Sequence, residues 1–399
     1  TDLGVFSDKK DVTVTFNASN GTVAFTGKDA VSGSIHSALY LNNSNATINA
    51  DILRFDSQEI KDKDPDHPLG SYSYFQGWQA GNSSLTMNVK ELYIGKDSTS
   101  LDRGFQLKGA NNSLTLMADK VVAYVGDGFI NAQGAKGTSN VTLGTDAQRI
   151  KHFEVHTTYG KNDWGVAAIQ TNEGNTVSLY AEDVILDGPN GAVGGVLGSG
   201  GWGNLVVDVS NKLTIDGNIC GSYGAMIGTV TDETSANLGV VHANTVFFLD
   251  VNAKELSMIG DVNAGSMKEM TPSEFDGKSK GDRTVVINVS STGTIDGSVN
   301  VYEHGNVALA GDLTLTKGIT IQDDGHVLIG GRITTDATVD GSKEFNKFEE
   351  YGMGKVTVGG NIDVKENGTL TVGGILDASN NVITFDAQTR AVLLSLIHI

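Results

Sequence analysis

The sequence contains one cysteine, Cys220, and four prolines in 399 residues. A single thiol excludes an internal disulfide framework, so stability has to come from packed backbone, and such a chain can be threaded unfolded through a pore. Scarce proline leaves almost every residue an amide donor for strand pairing. Basic residues are also few: 28 Lys and Arg against 47 Asp and Glu give a net charge of −19. That balance repels phosphate, which argues against nucleic acid and anionic lipid as partners. There is no 18-residue apolar span and no signal peptide, and the chain opens on Thr1, so it reads as a fragment or mature portion.

What is abundant is glycine, 51 residues, and a short recurring phrase. An Asn, Ser, Thr or Gly lead-in is followed by apolar, polar, apolar, as in Ser84-Leu85-Thr86-Met87, Ser113-Leu114-Thr115-Leu116 and Thr176-Val177-Ser178-Leu179. Its first apolar residues are Val14, Leu85, Leu114, Val141, Val177, Leu205, Phe247, Val285, Val307, Val327, Val356, Leu370 and Val382, with Ala46 a weaker member. A second alternating run follows, as in Glu91-Leu92-Tyr93-Ile94, and a third segment opens with Gly and an apolar or aromatic residue, as in Gly77-Trp78 and Gly104-Phe105. Recurrence about every 20 to 40 residues predicts a stacked solenoid with three short strands per coil. One coil cannot enclose a core, so the inward Leu, Ile, Val and Met must stack as ladders on neighbouring coils.

The fold expected is therefore all-β: a right-handed parallel β-helix of about thirteen coils, with lateral loop insertions, roughly 60 Å long at about 4.8 Å per coil. Residues 1–385 read as one elongated domain. Within it, residues 305–376 form compact coils in which G-x-apolar-x-apolar-[AG]-G-x-apolar recurs four times, from Gly305, Gly325, Gly354 and Gly368. The tail, 386–399, breaks the repeat and is set apart: Leu394 to Ile399 looks like translated adapter sequence, and the alternative is a natural final strand. Four insertions leave the rod: Asp56–Gly77, Thr231–Thr245, Ala264–Arg283 and Asp340–Met353. In the last, Phe345, Phe348 and Tyr351 fall three apart and suggest a short helix with an apolar edge on the rod.

Few residues suggest chemistry. The tryptophans Trp78, Trp164 and Trp202 sit in glycine-rich corners, either as buried caps or as exposed platforms for sugar rings, and they are the candidate ligand-binding residues. In His152-Phe153-Glu154-Val155-His156, alternation turns both His and the Glu outward; the bland reading is an ordinary exposed strand face, the sharper one a metal or acid–base role. Asp62-Lys63-Asp64-Pro65-Asp66 imitates the start of a calcium loop but lacks the later Gly and Glu, and reads as a solvated acidic loop. Gly200-Gly201-Trp202-Gly203-Asn204 occurs once, where a calcium nonapeptide mechanism needs tandem copies. Cys220 reads as a packed thiol. The N-x-S/T sequons at Asn45, Asn82, Asn111 and Asn140 stand where Asn and Ser make strand-entry turns. No catalytic residue, cofactor or metal site is assigned.

With these repeats in hand, the chain resembles the passenger region of bacterial autotransporters, β-helix adhesins with pectin-lyase-like architecture. The resemblance spans roughly residues 12–385 and rests on the phrases at Leu85, Leu114, Val177 and Leu205 and the Gly-Gly coils at Val327, Val356 and Leu370. It implies an extracellular or cell-surface location on a Gram-negative bacterium and a C-terminal outer-membrane translocator barrel in the full-length chain. It also implies surface glycans or proteins as partners and possible self-association. The G-D-S-G nucleophile motif of protease passengers is not found, so a non-enzymatic adhesin or interaction stalk is the expected role. The alternatives are a purely structural spacer and a polysaccharide-cleaving β-helix using His152, Glu154 and Asp183.

Overall fold

The computed structural model describes residues 5–6, 12–26, 36–56, 74–96, 103–126, 128–132, 139–157, 168–171, 175–188, 195–199, 203–221, 247–265, 283–303, 305–335, 347–379, 381–388, 390–394 and 397–398. Every regular element among them is a strand, and all sheet pairings but one are parallel. The chain winds as a parallel β-helix of three faces. Face 1 is a 13-stranded sheet; faces 2 and 3 together form an 18-stranded sheet. They merge because long strands round the corner between them without breaking. In β6 (Ser84–Ile94), Ser84–Asn88 pair with β8 (Ser113–Met117) on face 2, while Glu91–Ile94 pair with β9 (Lys120–Val125) on face 3.

Among the described residues, the thirteen strands of face 1 correspond to thirteen coils, as the repeat predicts. Each strand bonds its equivalent one coil on, so inward residues of like kind are stacked. On face 2 the inner column runs Val14, Ala46, Leu85, Leu114, Val141, Val177, Leu205, Leu249, Val285, Val307, Val327, Leu370 and Ala391. From Ala46 to Leu370 these residues are at most 1% exposed. Burying one such aliphatic side chain contributes roughly 1.5–3 kcal/mol, which is why stacked coils hold where single ones cannot.

Three register assignments differ from the sequence reading. Leu249, not Phe247, takes the face 2 position, because the strand Phe247–Ile259 begins two residues earlier than the phrase. Val356 belongs to face 3, stacked between Leu313 and Leu376. The third Gly-Gly copy therefore lies one face out of phase. Val382 precedes a face 1 strand, and the last face 2 position is Ala391, in the tail. Although that tail departs from the repeat in sequence, Arg390–Leu393 pair with Thr369–Val372, and Ile397 pairs with Leu376.

The interior is not purely aliphatic. A column of phenylalanines threads the first five coils: Phe25 stacks on Phe55 at 5.0 Å, and Phe55, Phe105, Phe129 and Phe153 meet edge to face at 5.5–5.8 Å. Rings from faces 1 and 3 interlock here, so the column cannot be read from any single strand. The hole for Phe105 is made by Gly77, its register partner on the preceding coil, where a Cβ would lie 2.7 Å from the Phe105 Cδ1. Gly77 thus aligns with Phe105 and not with Gly104, and Trp78 turns outward while Phe105 turns in.

The corner between faces 1 and 2 holds a second, polar ladder. Ser44, Ser83, Asn112, Ser139 and Asn175 are all at most 3% exposed. The amide of each of the first four donates to the side chain of the next: Ser44 N–H to Ser83 Oγ, Ser83 N–H to Asn112 Oδ1, Asn112 N–H to Ser139 Oγ and Ser139 N–H to Asn175 Oδ1, at 3.0–3.4 Å. Just outside it Asn43, Asn82 and Asn111 adopt left-handed backbone (φ 47°, 46° and 57°), a conformation Asn tolerates, and their amides bond in file at 3.0 and 2.8 Å. Sequons at Asn82 and Asn111 are thus corner chemistry, whereas Asn45 and Asn140 lie on strands, facing outward.

One insertion is visible as structure. The sequence suggests a helix within Asp340–Met353; instead β25 (Gly331–Thr335) and β26 (Lys347–Tyr351) form an antiparallel hairpin containing Phe348 and Tyr351. Phe345 lies outside the described residues. The hairpin closes over an outward apolar stripe of face 2, where Ile333 packs with Val286, Ala308, Leu328 and Phe248. Arg332 pairs with Asp250 at its edge.

Candidate functional site

The strand β12 (Ile150–Thr157) crosses face 3 between β9 and β14 (Asn175–Asp187). Its alternation buries Phe153 and Val155 and sets His152, Glu154 and His156 on the outer face, as the sequence predicts. Glu154 sits between the two imidazoles: Oε2 is 2.7 Å from His152 Nε2 and Oε1 is 2.6 Å from His156 Nε2. The other ring nitrogen of His156, Nδ1, is 2.9 Å from Asp187 Oδ2 on the next coil. Tyr124, its neighbour on the coil before, stacks on the ring at 4.6 Å with the planes 10° apart.

The electrostatics follow from that packing. Burial works against a charged His156, but hydrogen bonds and charge from Glu154 and Asp187 outweigh it, and the ring pKa is raised above 6.5. Burial likewise raises Glu154, yet its bonds to His156 and His152 prevail and hold the carboxyl below its ordinary 4.5. With both nitrogens facing carboxylates, the charged form of His156 is favoured from two sides.

Asp183 is in register with His152, but its Oδ1 accepts from Asn211 Nδ2 at 2.7 Å and takes no part in the cluster. The residue that does join is Asp187, four positions further along the same strand. Sequence reasoning missed it because coil pairing brings it from 31 residues away. Among the described residues no group of three or more His, Cys, Asp and Glu has the geometry to hold a metal ion.

Trp78 lies on β5 (Tyr74–Gly81), in an outward column with Tyr40, Gln106, Asn131 and Gln170. From Trp78 to Gln170 this column is covered, at 5–8% exposure, and the Lys108 ammonium lies 5.3 Å from the indole centroid. Little of the ring reaches solvent, as a buried cap requires. Trp164 and Trp202 lie outside the described residues, as does the acidic loop Asp62–Asp66. Cys220 is on β17 (Asn218–Gly221), in register with Asn263.

No family model, curated protein or solved structure matches this chain. Its chemistry therefore has to be argued from its own geometry. That geometry is of groups already satisfied: Glu154 is engaged on both oxygens and His156 on both nitrogens. A general acid or base needs a site within reach of a substrate proton, and here the imidazolium and carboxylate spend that capacity on each other.

Proposed function

We propose that the chain is a non-enzymatic, surface-displayed rod of the autotransporter-passenger type, which holds its strand faces and lateral insertions out towards glycans or proteins of other surfaces. The observation that carries this reading is the parallel stacking of thirteen coils among the described residues, a spacer whose length grows with coil number and whose core is independent of what the outside presents. The mutually neutralised His152–Glu154–His156–Asp187 cluster supports a structural over a catalytic use of face 3. Disulfide-free construction suits export through a pore followed by folding outside, and placement on a Gram-negative cell surface is part of the proposal.

The test is binding. Purified rod applied to glycan arrays, mucin and bacterial or host cells is expected to be retained by at least one of them. Failure to bind any, together with absence of self-association, removes the adhesive reading and leaves the spacer. Release of sugar ends from a polysaccharide panel, abolished by His156→Ala, would instead establish the enzyme.

A further inference from the structure

The register of face 2 produces an outward column that its strands do not show singly. Over the first six coils it reads Thr15, Thr47, Thr86, Thr115, Thr142 and Ser178. Thr15 is exposed and the others are half-exposed, so the column faces solvent. Two residues to one side runs a file of Thr, Asn and Ser, and on the other side stand Asn17, Asn49 and Asn88, followed on the next coil by Met117. The two full columns carry no acid or base over the six coils, in a chain of net charge −19; the first charged residue in the central column is Asp250, two coils further on. Face 3 of the same coils is by contrast charged, with Arg54, Glu91, Lys120, Lys151 and Glu154.

The array is regular and stiff. Coils repeat at about 4.8 Å and alternate residues along a strand at about 7 Å, so the two full columns form a lattice about 24 Å by 7 Å. Threonine is β-branched and rotamerically restricted. The flanking files are tied between coils, Ser84 Oγ donating to Asn45 Oδ1 at 2.6 Å and Asn88 Nδ2 to Asn49 Oδ1 at 2.9 Å. Ordering such a face against a partner costs little, because it is already ordered.

We infer that this face recognises ice. An uncharged, periodic set of hydroxyls and methyls fits a partner that is itself a periodic lattice of water, whose oxygens repeat at distances of the same order in two directions. Its lack of charge avoids the desolvation cost that ionised groups impose on such a contact. A single sugar chain is the poorer fit, since the six central positions include no aromatic ring to stack on a pyranose. The inference concerns the rod itself and does not depend on its display at a cell surface.

The experiment uses the whole chain, fluorescently labelled, with three readouts: incorporation into a growing ice hemisphere, thermal hysteresis, and inhibition of ice recrystallisation. The wild type is expected to enter the ice and to keep crystals small. The variant Thr86→Lys/Thr115→Lys, whose side chains point to solvent, is expected to keep the wild-type circular dichroism spectrum and melting temperature yet be excluded from ice. Lys151→Glu on face 3 is expected to behave as wild type. Exclusion of the folded wild type, or retention of activity by the Thr86→Lys/Thr115→Lys variant, overturns the inference. Binding of this face to an uncharged polysaccharide but not to ice overturns it equally.

Discussion

At the scale of residues, the cluster on face 3 makes a pH prediction with a definite sign. The raised pKa of His156 means that its pairing stabilises the fold fully below about 6.5 and is lost as pH rises through the higher folded value. The depressed pKa of Glu154 contributes stability above about 4.5 that is lost as pH falls through the lower folded value. Both contributions are present together from about 4.5 to 6.5, and the cluster's part of the thermal stability, followed against pH, should reach its maximum there. In Glu154→Gln that maximum should flatten; an unchanged profile would mean that the cluster is energetically idle. Asn112 makes a second prediction. It accepts from the Ser83 amide and donates to the Gln79 and Gly109 carbonyls while 2% exposed. Asn112→Ala should cost about 1–3 kcal/mol in chemical denaturation, and Asn112→Asp more, because a carboxylate cannot donate. Alternation along one strand was enough to orient His152, Glu154 and His156. The contacts that define their state come from Asp187 and Tyr124 on other coils, and no local pattern encodes those.

At the scale of elements, the same division recurs. Strand phrases and their number were legible, because period-two alternation and glycine corners are local signals. Register was not always so: Trp78 and Phe105 follow glycines alike, yet one faces out and the other in, since the pairing is set by which residue fits beside Phe105. Gly77→Ala should therefore cost about 1–3 kcal/mol through overpacking, and Phe105→Leu in the same chain should recover part of it. A Gly77→Ala chain that melts like wild type would show the Phe column to be looser than described. The hairpin β25–β26 reads as helical in the sequence because the spacing of Phe345, Phe348 and Tyr351 suits both a helix turn and a two-sided ribbon. Its seat on Val286, Ala308 and Leu328 is formed by outward residues that a strand reading assigns to solvent. Arg332 and Asp250 bind it there, and desolvation raises the Asp250 carboxyl despite the guanidinium. Arg332→Met, which strands that carboxylate, should destabilise by about 3 kcal/mol, and Asp250→Asn in the same chain should restore much of the loss. Denaturation midpoints of the two single variants and the double variant decide it.

At the scale of the whole molecule, each turn of chain lies on the last, strand on equivalent strand, around a core of stacked apolar side chains. Thirteen such turns set a rod about 60 Å long, and the proposed roles of its faces follow from which residues that register brings into file. Spin labels on the outward face 3 column measure this directly. With Cys220 first replaced by serine, cysteine pairs at Arg54 and Thr214, Arg54 and Thr314, and Arg54 and Thr357 lie five, eight and nine coils apart. Pulsed dipolar distances should rise in that order, near 24, 38 and 43 Å at about 4.8 Å per coil, broadened by the label arms. Distances that fail to increase with coil number, as two sheets packed face to face would give, would contradict the stacked rod and everything drawn from it.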